Sequence, residues 1–166
     1  PEFKPAIKNL KTITVGAEAF PPALYDALKA VAPELQIING YGPTECTITC
    51  CGKKLDSGEG ITIGGPIYNT KFFVLDEFGN VLPPYACGEL IIAGEPVGRG
   101  YMNLPEKTSE SFFTLRGLPA YHSGDMVRLN AEGEIEFFGR CDNQVKLRGF
   151  RVELDEVEKA FCSYPG

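Results

Sequence analysis

The apolar pattern of this chain changes character near residue 61, and that change limits the folds open to it. The run 10–15 has strand length and β-branched content and stops at Gly16. After Pro21-Pro22, residues Leu24, Leu28 and Val31 recur at helical spacing, and a second strand begins over residues 36–38. Strand, helix and strand in succession belong to a mostly parallel sheet covered by helices, and two strands do not make a stable sheet alone. From Ile61 onward, short strand-like runs are separated by turn residues: 71–75, the 76–80 turn, 89–93, 126–129, the 130–133 turn and 134–138. This second texture predicts a small antiparallel β-barrel or sandwich. One helix is predicted to interrupt it over residues 105–113, where Leu104, Thr108 and Phe112 share a face and Pro105 suits a first turn. The fold class expected is mixed α+β.

Composition removes several classes of function. The chain has 166 residues, 43% of them hydrophobic and 23% charged, which is globular and gives enough apolar side chains for a core. A formal charge of −6 argues against a nucleic-acid surface, which needs a concentrated basic field. No apolar run approaches the roughly 18 residues of a membrane-spanning helix, and the opening Pro-Glu-Phe-Lys-Pro is not a signal peptide. The expectation is a soluble, cytoplasmic protein with no membrane partner. Six cysteines show no C-x-x-C pair and stand with a single histidine, His122, so no zinc site is expected. Most of these thiols are expected to be buried in a reducing compartment. His122 has no cysteine or aspartate at nucleophile spacing and is read as a barrel or cleft residue, not a general base.

Two segments carry chemistry. Residues 39–45, Asn-Gly-Tyr-Gly-Pro-Thr-Glu, form a glycine-interrupted loop directly after a strand, where parallel sheets hold ligands. Gly40 and Gly42 permit close backbone approach, Tyr41 offers a stacking face, Thr44 a hydroxyl for phosphate and Glu45 a hard oxygen for a divalent cation. An ordinary glycine turn has the same composition. Residues 139–158 contain four cations, Arg140, Lys146, Arg148 and Arg151, and two glycines, and run into an acidic helix with Leu154, Val157 and Phe161 on one side. Such a segment suits a hairpin that presents cations and, at Gly149, bare backbone.

Together these segments resemble the adenylate-forming enzymes, the family of nonribosomal peptide synthetase adenylation domains, acyl-CoA synthetases and luciferases. The heptapeptide 39–45 is similar to the central nucleotide motif in its amino-acid-activating form, and 139–158 to the hinge and swinging hairpin. Three further segments follow the family order. Gly16-Ala17-Glu18 resembles an adenine-flanking Gly-Gly-Glu with Ala17 as a departure. Residues 88–101 match the barrel motif except at Glu95-Pro96. Residues 121–125, Tyr-His-Ser-Gly-Asp, are similar to the motif whose aspartate binds both ribose hydroxyls.

The resemblance implies that Gly16, Ala17, Glu18, Asn39, Tyr41, Thr44, Asp125, Phe137 and Arg140 bind nucleotide. It implies that Thr44 and Glu45 act in catalysis and that Glu45 holds Mg²⁺. By the same resemblance Ile13, Val15, Gly40, Ile48 and Thr49 border the amino-acid pocket; being small or apolar, they favour an uncharged substrate. Asp142 matches the hinge, and Lys146 and Gly149 the hairpin. The implied reaction joins an amino acid to ATP as aminoacyl-AMP with release of pyrophosphate. The acyl group then passes to a phosphopantetheine thiol on a carrier protein. Residues 1–60 are expected to end the large domain's sheet region, 61–138 to form the barrel, and 139–166 to form the hinge and the start of a small C-terminal domain.

The family's Ser/Thr/Gly-rich phosphate loop has no counterpart before Gly16, and its catalytic lysine has none up to Gly166. The 166 residues are therefore read as an internal fragment, inactive alone. Two alternatives remain open. A D-alanine:carrier-protein ligase shares residues 105–108 and the form of 121–125, although Asn143-Gln144-Val145 and Arg148-Gly149 are closer to peptide synthetases. The other is a non-catalytic fragment that binds only nucleotide or a partner.

Overall fold

Parallel strands β1, Thr12–Val15, and β2, Gln36–Tyr41, are joined by helix α1, Pro22–Val31, as the strand, helix, strand pattern requires. The computed structural model describes residues 7–142, 144–147 and 150–164. Pro22 opens α1, where its missing N–H is no loss, and Lys29 near its end caps the Pro33 carbonyl at 3.0 Å. The helix lays Tyr25 and Leu28 on Ile13, Val15, Ile37 and Leu55, a core closed by Phe20, Ala32 and Leu35.

This first sheet is mixed. A third strand, β3 (Cys51–Leu55), pairs antiparallel with β2, and β4 (Gly65–Pro66) pairs antiparallel with β3. Sequence reading gave no strand at 51–55, because Cys-Gly-Lys-Lys-Leu has little β-branched character; Cys51 and Leu55 point inward and the backbone is recruited by β2.

The second sheet is a curled antiparallel half-barrel. Its order is β5 (Thr70–Leu75), β6 (Cys87–Gly94), β8 (Leu118–Leu129) and β7 (Phe112–Leu115), with β9 (Ile135–Arg140) paired to the other end of β8. β6 is buried on both faces. Leu90 and Ile92 meet Tyr41, Cys50, Cys51, Tyr121 and Val127 on one side, while Ile91 and Ala93 meet Leu75 and Ala120 on the other. The 76–80 turn forms as read, with Asp76 Oδ1 accepting from the Phe78 and Asn80 amides at 2.9 and 2.8 Å.

Three expectations need correction. Helix α2 runs Pro105–Ser111 and stops short of Phe112, which starts β7 because its ring is drawn between Tyr101 and Tyr121 in the core. The segment 121–125 lies inside β8, so this strand begins eight residues earlier than the run 126–129 read from the sequence. Half of the cysteines are exposed: Cys46, Cys50 and Cys51 are buried, Cys87, Cys141 and Cys162 are not, and all six are free.

Antiparallel strands β10 (Gln144–Leu147) and β11 (Phe150–Glu153) then lead into helix α3, Leu154–Cys162. Lys146 lies on β10 opposite Arg151, whereas Arg148 and Gly149 lie outside the described residues. Among the described residues no helix is long and apolar enough to cross a membrane.

The two sheets are tied at Glu134. Its Oε2 accepts from Lys53 Nζ on β3 at 2.6 Å and from Thr62 Oγ1 at 2.9 Å, beside the reciprocal backbone bonds Ile63 N to Ile135 O and Ile135 N to Gly64 O, each 3.0 Å. The hydrogen bond from Lys53, outweighing a small burial effect and aided by Thr62, holds the Glu134 carboxyl below its ordinary value. A depressed folded-state pKa gives stability that is complete above the unfolded value, about 4.3, and is lost as pH falls through the folded one. Glu134→Gln should therefore lower the urea midpoint at pH 7 and flatten its fall below about pH 4.3. An unchanged acid limb in the variant would remove Glu134 from this joint.

Candidate nucleotide site

An open cleft of about 1020 Å³ lies beyond the carboxyl ends of β1 and β2, where the two sheets meet. Ala17, Glu18 and Phe20 reach it from the loop after β1, and Asn39 to Gly42 from the end of β2. Residues 58–63 form a third wall, and Phe137, Gly139, Arg140, Gln144 and Val145 close the far side. Segments far apart in sequence thus converge. Gly42 is needed for packing, since a Cβ there would stand 2.5 Å from the Ile48 carbonyl oxygen and 2.8 Å from Cys50 N.

At the inner edge of the cleft a buried polar cluster joins the sheets. Tyr41 Oη donates to Asp125 Oδ2, and Arg140 Nη1 donates to Asp125 Oδ1 at 3.0 Å and to the Ser123 carbonyl at 2.8 Å. Asp125 and Arg140 are direct cross-strand partners on β8 and β9, which places their side chains on one face. Asp125 is only 2% exposed. Burial, then the charge of Asp125 and its hydrogen bond, drive the Tyr41 phenol well above its ordinary pKa. Burial acts to lower the Arg140 pKa, but its hydrogen bond to Asp142 and the charges of Asp125 and Asp142 raise it. The same guanidinium reaches Asp142 through Nε at 2.9 Å and through Nη2, and Gln144 Oε1 at 2.6 Å.

Beside this cluster, Thr44 to Cys46 form a 3-10 turn after β2. Glu45 Oε1 accepts from Tyr101 Oη at 2.7 Å, and its carbonyl accepts from Gly98 N at 2.7 Å, so the loop 96–101 clamps the turn. Tyr101 rests edge-on against Phe112, with centroids 5.3 Å apart.

The other sequence-predicted residues are distributed as follows. Gly16 sits where any Cβ would collide with the Gly40 carbonyl, and Ala17 beside it takes φ 74°, a left-handed conformation natural to the glycine it replaces in the resembled motif. Asn39 is buried and spends its amide on the Thr62 carbonyl at 2.9 Å, bracing the third wall. Asp125 is not on the open wall but behind Tyr41 and Arg140. Ile13 and Val15 point under α1 into the core, while Gly40, one step off in the pleat, faces Thr14 with a built Cβ 3.0 Å from Thr14 Cγ2. Ile48 is 74% exposed at φ 71°, and Thr49 is exposed next to it. The five residues expected to border one substrate pocket are therefore not on one face among the described residues. Sequence reasoning missed Thr62, Glu89 and Tyr101; Glu89 had a signal, a lone carboxylate heading the apolar run 90–93 of a strand.

The sequence profile described as AMP-binding enzyme matches residues 2–102. The chain belongs to this family. Tyrocidine synthase 3 of Brevibacillus parabrevis is 39% identical over 162 residues, covering 95% of this chain and 2% of that protein. Bacitracin synthase 1 of Bacillus licheniformis is 40% identical over 166 residues, 94% of this chain and 3% of the relative. Holo-PA1221, a nonribosomal peptide synthetase protein containing adenylation and PCP domains, superposes with a TM-score of 0.90 at 34% identity, over 98% of this chain and 30% of that one. The adenylation domain AlmE of Vibrio cholerae, solved with glycyl-adenosine-5'-phosphate, gives 0.83 at 31% identity over 91% and 30%. Within the AMP-binding enzymes, then, the chain aligns with peptide synthetase adenylation domains and spans a small part of the relatives' length.

Removing the charge at Asp125 tests the cluster directly. Asp125→Asn should lower the pH at which the Tyr41 phenol ionises, because the second cause of its raised pKa is gone while burial remains. Difference absorbance of tyrosinate against pH, with Tyr41→Phe as the blank, measures it. An unmoved transition would separate Tyr41 from Asp125.

Proposed function

We propose that this chain supplies the nucleotide-facing part of an amino-acid-activating adenylation domain. The complete protein would form aminoacyl-AMP from ATP and an amino acid and pass the acyl group to a phosphopantetheine thiol on a carrier protein. The observation that carries this reading is the convergence of Tyr41, Asp125 and Arg140 at a cleft in a chain of the AMP-binding family. A carrier-domain partner is supported by the solved neighbour that contains both adenylation and PCP domains.

The chemistry of the cleft suits a nucleotide. Apolar Ala17, Phe20, Ile61 and Ile63 flank polar groups, an arrangement fit for a flat heterocycle with a polar edge. Asp125, which lies behind Tyr41 and Arg140, would accept the ribose hydroxyls once one of these partners gives way, since each carboxylate oxygen has two lone pairs. Phe137 would lie beside the ribose, Arg140 would face the phosphate side, and Thr44 would donate to the α-phosphate. Glu45 fits a divalent cation in part. Among the described residues no three His, Cys, Asp or Glu side chains converge, so phosphate oxygens and water would complete the coordination, as is usual for Mg²⁺. When bound, Mg²⁺ neutralises charge on the reacting phosphates. Tyr101, through its hydrogen bond, would keep the Glu45 carboxylate aimed. Asp142 would be the hinge, and Lys146 and Gly149 part of the hairpin that turns with it.

Amino-acid-dependent pyrophosphate exchange by the full-length protein, run against the common amino acids and D-alanine, tests the proposal. Exchange with one neutral amino acid is expected, and residues 1–166 alone should give none. Exchange with D-alanine only would favour the carrier-protein ligase, and none with any substrate would overturn the reading. In the active protein Asp125→Ala should raise KM for ATP by roughly 30-fold or more, as two hydroxyls lose a charged acceptor, while KM for the amino acid changes little. Equal rises in both constants, in a variant whose urea midpoint matches that of the parent, would refute the ribose role.

A further inference from the structure

Strands β6 and β8 lose register where Glu89 stands. Glu89 pairs with Met126 and Ile91 with His122, so Leu90 alone on β6 faces Ser123, Gly124 and Asp125 on β8. A bulge of this kind leaves backbone groups outside the ladder, and each buried one needs a partner. Ser123 Oγ donates to the Leu90 carbonyl at 2.6 Å and accepts from Asp125 N at 3.1 Å, and Cys141 N donates to the Gly124 carbonyl at 2.7 Å. A further donor of the bulge, Gly124 N–H, goes to Glu89 Oε1 at 2.9 Å.

The other oxygen of Glu89 meets His122 Nδ1 at 2.9 Å, and the His122 ring stacks on Phe113 with centroids 4.4 Å apart. One carboxylate thus grips β8 both before and within the bulge. Gly124 has φ 69°, and a Cβ there would press on Arg140 Nη2 at 2.6 Å and Asp142 Oδ2 at 2.7 Å, so the two side chains pack directly against its bare backbone. Asp125 follows directly on β8, its carboxylate held by Tyr41 and Arg140. Burial acts to raise the Glu89 pKa, but hydrogen bonds from His122 and the Gly124 amide, with the charges of His122 and Arg140, leave it below the ordinary value, so the side chain is an anionic acceptor at neutral pH.

We propose that Glu89 is a positioning residue of the nucleotide site, fixing the Gly124 peptide and the His122 ring so that Asp125 meets Tyr41 and Arg140 in one orientation. The inference rests on the reading of Asp125 as a ribose acceptor, and two measurements on the full-length protein keep the two ideas apart. Glu89→Ala removes the grip; Glu89→Gln keeps a carbonyl oxygen for the Gly124 amide and turns an amide N–H toward His122 Nδ1, which accepts it once the neutral ring carries its proton on Nε2.

Titration of ATP by calorimetry should show binding weakened about tenfold in Glu89→Ala and within about threefold of the parent in Glu89→Gln. KM for the amino acid should stay within about twofold in both. In tyrosinate titrations the Tyr41 transition should move to lower pH in Glu89→Ala and stay in Glu89→Gln. Unchanged Tyr41 titration and ATP binding in Glu89→Ala would overturn the proposal. So would equal impairment by both variants, or a parallel rise of both substrates' KM, which marks general loss of structure. If the parent protein binds no ATP, the nucleotide reading fails, and the Tyr41 titration alone still decides whether Glu89 aims Asp125.

Discussion

The buried carboxylate of Asp125 is the constraint on which the junction of the two sheets depends. An ion of this size taken out of water costs several kcal/mol even after the protein relaxes, and only well-placed partners offset that. One partner, Arg140, comes from the neighbouring strand β9 and the other, Tyr41, from the end of β2 in the other sheet. The pairing dictates where β2 must end relative to β8 and β9. Removing either partner exposes the cost of the charge, so the position of the cleft wall is coupled to the electrostatics beneath it. Farther along the joint, Lys53 and Glu134 make a similar cross-sheet contact in a more exposed setting, where the same geometry stabilises less.

Local chemistry made much of the fold readable. Helix α1 follows from a proline start and helical spacing, and the 76–80 turn from an aspartate that accepts two amides of its own loop. What escaped depends on partners distant in the chain. β3 exists because β2 supplies its ladder, with Tyr41 opposite Cys51. The Ser-Gly-Asp stretch of β8 has turn composition, yet it is a bulge completed by Leu90 and Glu89, 33 and 35 residues away in sequence. No window of ordinary length contains both halves of such an arrangement.

The site shows the same division. Motif order picked out residues 39–45, Asp125, Phe137 and Arg140, and Tyr41 meets Asp125 across 84 positions. Residue identity did not say which way each side chain points. Strand alternation sends Ile13 and Val15 into the core beneath α1 and Gly40 to the opposite face. Nor did it reveal the residues that hold the motif residues still. Tyr101 steadies Glu45, Thr62 engages Asn39, and Glu89 steadies the bulge; all are ordinary in composition and acquire meaning only from what they touch.

Arg140 gives a physical reason for a break in the chain to fall where the hinge was proposed. Its guanidinium holds two acids of unequal burial: the Asp125 side chain is 3% exposed and that of Asp142 is 42% exposed. The bond to Asp125 is protected within paired strands, whereas the bond to Asp142 faces solvent, where such a pair contributes about 1 kcal/mol or less. A rotation of β10, β11 and α3 about Asp142 would break the solvent-facing pair and the Gln144 contact and leave the ladder of β8 and β9 intact. Arg140 would then face the cleft with donors released by Asp142, at the moment when the hairpin had moved away. The buried half of the cluster is thereby suited to stay with the ladder of β8 and β9, and the exposed half to let go.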